Sequence, residues 1–488
     1  MLIRSNQIKK KIIMRSEEIC FMSACEMVEK IKTQELTSLE ITETLIERIE
    51  KINPIINAYC TPTFDISREM AKKADLAVKK NEKLGLLHGV PTSIKDLTLT
   101  KGIKTTFGSK IYENFIPDED EIVVQRLKKE GIVILGKTNT PEFGHAGSTH
   151  NPVFGETKNP WNLERTSGGS SGGAASGTAA GLSILALGSD GGGSIRIPCC
   201  LCGVYGIKPN FGRVPIYPTF AYGAPSVLAC KGPIVRYVKD AALMLDAIKG
   251  PHDADPFSLP SQDLSYYEKI EQKPTRLKIG YSLDLGFAKA VDTEIEQNIV
   301  DSVQKFEKLG WSVEKVKLKV KKPDTAFSIL FTSGYAYDLK SKLNQWGDKM
   351  EPDLVKMVDA GLSYSGYDLM RALDQKHKLY LEIHKHFENY DILITPTCAV
   401  TAFKLGIMGP TEINGKNVSP TAWIAFTFPF NLTGHPAASI PSGFSSEGLP
   451  IGMQIVGNRF NELLVLQVSK AFEEISPWQD KKPQLSNL

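Results

Sequence analysis

Residues 188–196 read GSDGGGSIR. Glycine is poor in helix and strand interiors because its backbone loses the most freedom on folding. Gly191, Gly192 and Gly193 in a row therefore form a tether, a tight turn, or a place where backbone N–H groups crowd round something. The flanks argue against a tether: the apolar SILAL run (183–187), which reads as a short buried strand, precedes them and IRIPCC (195–200) follows. Successive glycines let several N–H groups converge on one point with no side chains in the way, making an anion cradle beside Ser194. A serine that transfers acyl groups needs such a cradle. It also needs a base to take its proton and an acid for the leaving group.

Working outward, residues 168–194 differ from the rest of the chain. They hold ten glycines and six serines, no Lys or Arg, and a single acid, Asp190. A second serine-rich turn, GGSSGG at 168–173, offers Ser170 and Ser171, and AASGTAAG after it suits a tightly packed small-residue helix. The base is harder to place. The eight histidines are scattered, and no G-x-S-x-G elbow is present. Upstream, GVPTSIKDLT (89–98) sets Lys95 in an apolar frame. Burial lowers a lysine's pKa from about 10.4 and can leave the amine neutral near pH 7.

The wider chain sets the fold class. In TSLEITETLIERIEKINP (37–54), Thr37 and Glu40 have capping-box spacing, and Ile41, Leu45, Ile46, Ile49 and Ile52 line one helical face, with Asn53-Pro54 as the expected stop. EIVVQRLKKE (121–130) reads as a helix, IVIL after it as a strand, and 325–390 as mostly helical. DILITPT (391–397), SIPSG and PIGMQIVG return to strand. Short strands alternating with long helices argue an α/β protein with a mixed sheet.

Composition narrows the class. The chain has 488 residues and a formal net charge of +3, which makes no case for nucleic acid as an obligatory partner. The basic run KKKII at 9–13 reads as a solvated end. No segment reaches the length of a membrane span or carries an export signal, so a cytoplasmic protein is expected. Cys199, Cys200 and Cys202 fit no common zinc spacing and read as buried small residues, so no metal is expected. GIVILGKT (131–138) matches the phosphate-loop pattern letter for letter. Its first glycine follows a helix, though, and the four residues between the glycines are β-branched or leucine, which makes a buried strand.

With these residues in view, the chain resembles the amidase signature family. The motifs are PTSIKD, GGSSGG and GSDGGGSIR, with Ser194 of the last twenty-four residues after Ser170. RLKKEGIVILGKTNTPEF (126–143), NPVFGETKNPWN (151–162), CGVYGIKPNFGRVP (202–215), PFNLTGHPAASIPSG (429–443) and GLPIGMQIVG (448–457) extend the match. The resemblance implies a large mixed central β-sheet covered by helices on both faces. It places one domain at 25–480, between an N-terminal extension (1–24) and a tail (481–488). It also implies a Ser–cisSer–Lys triad: Ser194 as acylated nucleophile, Ser170 after a cis peptide as proton relay, and Lys95 as base. The backbone of Gly191, Gly192, Gly193 and Ser194 would form the oxyanion hole. Asp190 and Arg196 would brace the loop, and Ser171 would support the relay.

The expected reaction is hydrolysis of a small-molecule carboxamide through an acyl-serine, without a cofactor. A homodimer is left open. Ser189 stands where the family usually has threonine, Ser167 where it has proline, and Cys199 and Cys200 where small residues are usual. Within the family, the alternative is the glutaminase component of a tRNA-dependent amidotransferase. That component usually has Asp-Gln where this chain has Ala229-Cys230, within a variable 215–230 segment, which favours a stand-alone amidase. A catalytically dead binding protein is a third and weaker reading.

Overall fold

The computed structural model describes residues 16–219 and 226–485. The basic run at 9–13 and residues 220–225 of the variable segment lie outside them. Eleven strands form one mixed sheet. Along the chain they are β1 (Tyr59–Pro62), β2 (Pro91–Lys95), β3 (Val133–Thr138), β4 (Leu185–Asp190), β5 (Tyr205–Lys208) and β6 (Cys230–Val235). They continue as β7 (Lys278–Tyr281), β8 (Ser312–Lys315), β9 (Ile392–Pro396), β10 (Ala437–Phe444) and β11 (Pro450–Gly457). Their order across the sheet is β1-β3-β2-β4-β6-β5-β10-β11-β9-β7-β8. β3, β2 and β4 run parallel, as do β9, β7 and β8, and antiparallel pairs join the two groups.

Every residue of β2, β4 and β6 is buried. Successive side chains in a strand point to opposite faces, so both faces of the sheet are covered there. This is the helix-covered mixed α/β sheet that the motifs imply. The core reaches past residues 25 and 480, taking in Ile19, Cys20 and Phe21 at one end and Leu485 at the other. Among the described residues, no helix is long and apolar enough to cross a membrane.

Two local expectations shift. The first helix of the TSLEITETLIERIEKINP stretch is Ser38–Ile56, capped by the Thr37 side chain on the Glu40 N–H at 3.0 Å. It runs through Pro54 rather than stopping there and ends at Asn57, whose left-handed backbone donates to Asn53 O. Proline forfeits one i→i−4 bond, a loss the last turn absorbs while Asn53 holds the exit through Tyr59 N at 2.7 Å. The expected SILAL strand begins two residues later and continues through Gly188-Ser189 to Asp190. Pairing of Gly188, Ser189 and Asp190 with Gly232, Lys231 and Cys230 overrides the glycine's poor strand propensity.

The phosphate-loop look-alike is strand β3, buried throughout. Its Lys137 is used inside the protein, bonding Thr98 O and the hydroxyls of Thr100 and Thr105. The cysteine trio is buried, with Cys199 and Cys202 packed among Ala174, Ala175 and Ile234.

Candidate active site

The carboxyl ends of the parallel strands β2 and β4 lie side by side, where open α/β sheets bind their ligands. Lys95 is the last residue of β2, and Asp190 is the last of β4. The two serine turns lead directly into helices, Gly172–Ala179 after GGSS and Arg196–Cys202 after GGGSI. Their N-terminal turns therefore meet above the strand ends. The Ser171 N–H donates to Ser194 O at 3.1 Å, tying one turn to the other. The Ser171 hydroxyl donates to Ser189 O at 3.2 Å, tying both to β4. The Gly169–Ser170 peptide is cis, as the family resemblance implies.

Lys95 is wholly buried, and its partners are hydroxyls. Its Nζ lies 2.7 Å from Ser170 Oγ and 3.1 Å from Ser189 Oγ. Burial pushes the Lys95 pKa well down, the charge of Lys231 pushes it further, and Asp190 opposes them. The first two effects favour the neutral amine over the ammonium. Ser170 is buried, while Ser194 is half-buried and its hydroxyl has no hydrogen-bond partner among the described residues. Among the described residues, no histidine hydrogen-bonds Ser170 or Ser194, and the amine bonded to Ser170 is that of Lys95.

Asp190 and Arg196 form a buried ion pair, with Nε to Oδ2 at 3.0 Å and Nη2 to Oδ1 at 2.9 Å. Burial raises the Asp190 pKa, but the guanidinium, its hydrogen bonds, Lys208 and Asn431 outweigh that and hold the carboxyl well below the usual range. Asp190 in turn accepts from Gly193 N–H at 2.8 Å and Ile195 N–H at 3.2 Å, which shapes the glycine turn. The expected oxyanion hole draws on four backbone donors, Gly191, Gly192, Gly193 and Ser194. The donor of Gly193 is taken by Asp190, leaving the N–H groups of Gly191, Gly192 and Ser194 without an acceptor among the described residues. Gly193 is instead needed for its backbone. Its φ is +130°, and a Cβ there would lie 2.3 Å from Thr427 Oγ1.

Sequence reading misses the far side of this bracing. Arg196 also bonds Thr427 O (2.8 Å), Gln454 Oε1 (2.7 Å) and Asn431 Oδ1 (2.7 Å). Asn431 lies in the PFNLTGHP motif and Gln454 in GMQIVG, and neither motif marks which of its residues braces the site. Ser189 differs only mildly from the usual threonine, yet it holds Lys95.

A cleft of about 790 Å³ opens beside the glycine turn. Helix Asp324–Leu339 contributes Asp324, Phe327, Ser328, Phe331 and Thr332, one stripe at helical spacing. A Cβ on Gly192 would meet Phe327 at 2.7 Å and one on Gly191 would meet Phe331 at 3.7 Å, so this wall adjoins the cradle. Phe327 stacks on Phe331 and packs against Phe428 at centroid distances of 5.0 and 4.9 Å. Of the charged lining residues, Glu156, Asp324, Glu351 and Asp353 are acids, against one lysine, Lys356. Among the described residues, no group of three or more His, Cys, Asp or Glu side chains could hold a metal.

Comparison with known proteins agrees with this geometry. The family model described as Amidase matches residues 40–466. The acylamidase of Rhodococcus erythropolis is 38% identical, covering 96% of this chain and 98% of that protein. A glutamyl-tRNA(Gln) amidotransferase subunit of Carboxydothermus hydrogenoformans is 36% identical, covering 96% of this chain and all of that protein (100%). The crystal structure of a bacterial aryl acylamidase of the amidase signature enzymes superposes with a TM-score of 0.88 at 32% identity, covering 94% of this chain and 97% of that one. The chain belongs to the amidase family, and it is an amide hydrolase.

Proposed function

We propose that the chain is a stand-alone amidase that hydrolyses uncharged carboxamides bearing an apolar or aryl group, with Ser194, Ser170 and Lys95 as its triad. The observation that carries the chemistry is Lys95 Nζ at 2.7 Å from Ser170 Oγ, buried with no carboxylate bonded to it. A neutral amine so placed accepts the Ser170 proton as Ser170 takes that of Ser194. Catalytic hydrogen bonds often tighten only when substrate is bound, and the Ser170–Ser194 link forms at that stage. The Ser194 oxygen attacks the carbonyl carbon, and the N–H groups of Gly191, Gly192 and Ser194 receive the oxyanion. Ser170 passes a proton to the leaving nitrogen and is reprotonated by the Lys95 ammonium, so the amine departs neutral and the base is restored. Water then attacks the acyl ester through the same relay and releases the acid.

The cleft supports the substrate class. Phe327 and Phe331 offer apolar surface next to the cradle, and Phe428, Ile424 and Met408 add to the lining of the same cleft. Lys356 is engaged by Asp353 at 2.9 Å, so the cleft has little to offer a carboxylate such as that of glutamine. The second reading, the glutaminase of a tRNA-dependent amidotransferase, is favoured by the 36%-identical amidotransferase relative. The purified chain, given a panel of aryl amides, aliphatic amides and glutamine, is expected to hydrolyse the apolar amides unaided. Glutamine turnover appearing only with tRNA and partner proteins, and no turnover of the other amides, would overturn the proposal.

A further inference from the structure

Three buried lysines from three different strands converge on one threonine. The Thr98 N–H donates to Lys95 O at 3.0 Å, closing the turn after β2. Its carbonyl accepts from Lys137 Nζ of β3, and its hydroxyl accepts from Lys231 Nζ of β6 at 2.9 Å. Lys231 also lies opposite Ser189 in the β4–β6 register, and Ser189 is the hydroxyl that holds Lys95. All three lysines are fully buried.

Buried charges are paired or neutralised, because desolvating a lone ion costs several kcal/mol. The anions near this cluster are Asp96, Glu121 and Asp190, with the Cys60 thiol beyond Lys137. Asp190 is bonded to Arg196. Glu121, which precedes helix Ile122–Lys129, bonds Lys231 at 3.1 Å. Asp96 acts on Lys137, and its hydrogen bonds go to the N–H and hydroxyl of Thr106. Each anion thus has a cation other than Lys95, and Lys95 is left with hydroxyls alone.

We propose that Lys231, held in place by Glu121, is a positioning residue whose ammonium stands behind Lys95 and so favours Lys95 as an uncharged base. This rests on the reading of Lys95 as the base. Lys231 acts through the field at Lys95 and through Thr98, not by touching substrate. Lys231 reaches the surroundings of Lys95 through Ser189 and Thr98, whereas Glu121 bonds Lys231 and neither of these, so the pair turns its positive end toward Lys95.

The test is the pH dependence of inactivation by a fluorophosphonate, which requires no known substrate. Lys231→Met leaves Glu121 buried without its cation. The double variant Lys231→Met/Glu121→Gln keeps the buried charge balanced and serves as the variant expected to fold. In both, the acid limb of the inactivation profile is expected to move to higher pH, by about one pH unit or more in Lys231→Met, which loses the charge alone, and by less in the double variant. Lys231→Arg keeps the charge and is expected to keep the limb in place.

A residue with only a structural role would lower reactivity at all pH values without moving the limb. A double variant that melts like wild type and has an unmoved limb would overturn the proposal, as would a Lys231→Arg limb that moves as far as that of Lys231→Met. Lys95→Ala in the same assay separates the layers. If it reacts like wild type, the base assignment falls and this inference with it. If it is unreactive while the Lys231 limbs stay put, only this inference falls.

Discussion

The floor of the site and the wall of the cleft are built by opposite means. The floor is polar, buried and braced from several strands at once: Lys95, Ser170, Asp190 and Arg196 are each held by groups distant in sequence. The wall is one stripe of a helix, Phe327 and Phe331 among it, half-buried and held by ring packing. In the floor, a lost partner leaves a charge or donor stranded in low dielectric. In the wall, a lost side chain costs contact area alone. On the proposed reading, the floor therefore fixes the reaction, and the wall is free to set the substrate.

The sharpest way to break this contrast is at Arg196. Arg196→Met strands the Asp190 carboxylate and is expected to cost about 3–5 kcal/mol of stability at pH 7, read by urea unfolding. The Asp190 pKa is depressed in the fold, so its share of stability is present above an unfolded value of about 3.9 and lost as pH falls below it. The gap between wild type and variant should accordingly narrow below about pH 4. A variant within 1 kcal/mol of wild type at pH 7 would show that the floor tolerates loss as the wall does.

Next in size is a pair of glycine substitutions. Gly193→Ala places a methyl against Thr427 and Ile197 at a φ of +130°, and should lower kcat by roughly 10²–10³, the scale of a lost oxyanion donor. Gly191→Ala meets only Phe331, at 3.7 Å, and should stay within about threefold, since an ordinary contact costs little. Equal effects would remove the distinction between a shaped turn and a merely uncrowded one.

The smallest effect belongs to the wall. Phe331→Ala should lower kcat/KM for aryl amides by about ten- to a hundredfold, the range of one pocket contact, while sparing small aliphatic amides. A uniform loss across all substrates would place Phe331 in the floor instead.

The same contrast decides what the sequence can reveal. GSDGGGSIR and GGSSGG are short because the floor's groups need special backbone, and special backbone needs glycine at fixed offsets, while SIKD needs only the end of a buried strand. These stretches suffice for the sheet class and for nominating Lys95, Ser170 and Ser194 as the proposed triad. The allocation of the Gly193 donor to Asp190 is not legible, because an N–H carries no mark of its acceptor. Nor is the wall. DTAFSILFTSGYAYDL reads as any packed helix until the fold turns one stripe of it toward the cradle. Lys231 in ACKGP is equally silent, since a lysine reads as a surface charge until pairing sets it behind Lys95.

The central claim is that the acyl group lands on Ser194 by way of Lys95 and Ser170, and mass spectrometry of a fluorophosphonate-treated sample tests it most directly. One adduct is expected, on the peptide carrying Ser194. The adduct should be absent in Ser194→Ala, and sharply reduced in Lys95→Ala and in Lys95→Arg, whose guanidinium cannot give up its proton. An adduct on another serine, with Ser194→Ala still hydrolysing amides, would contradict the claim.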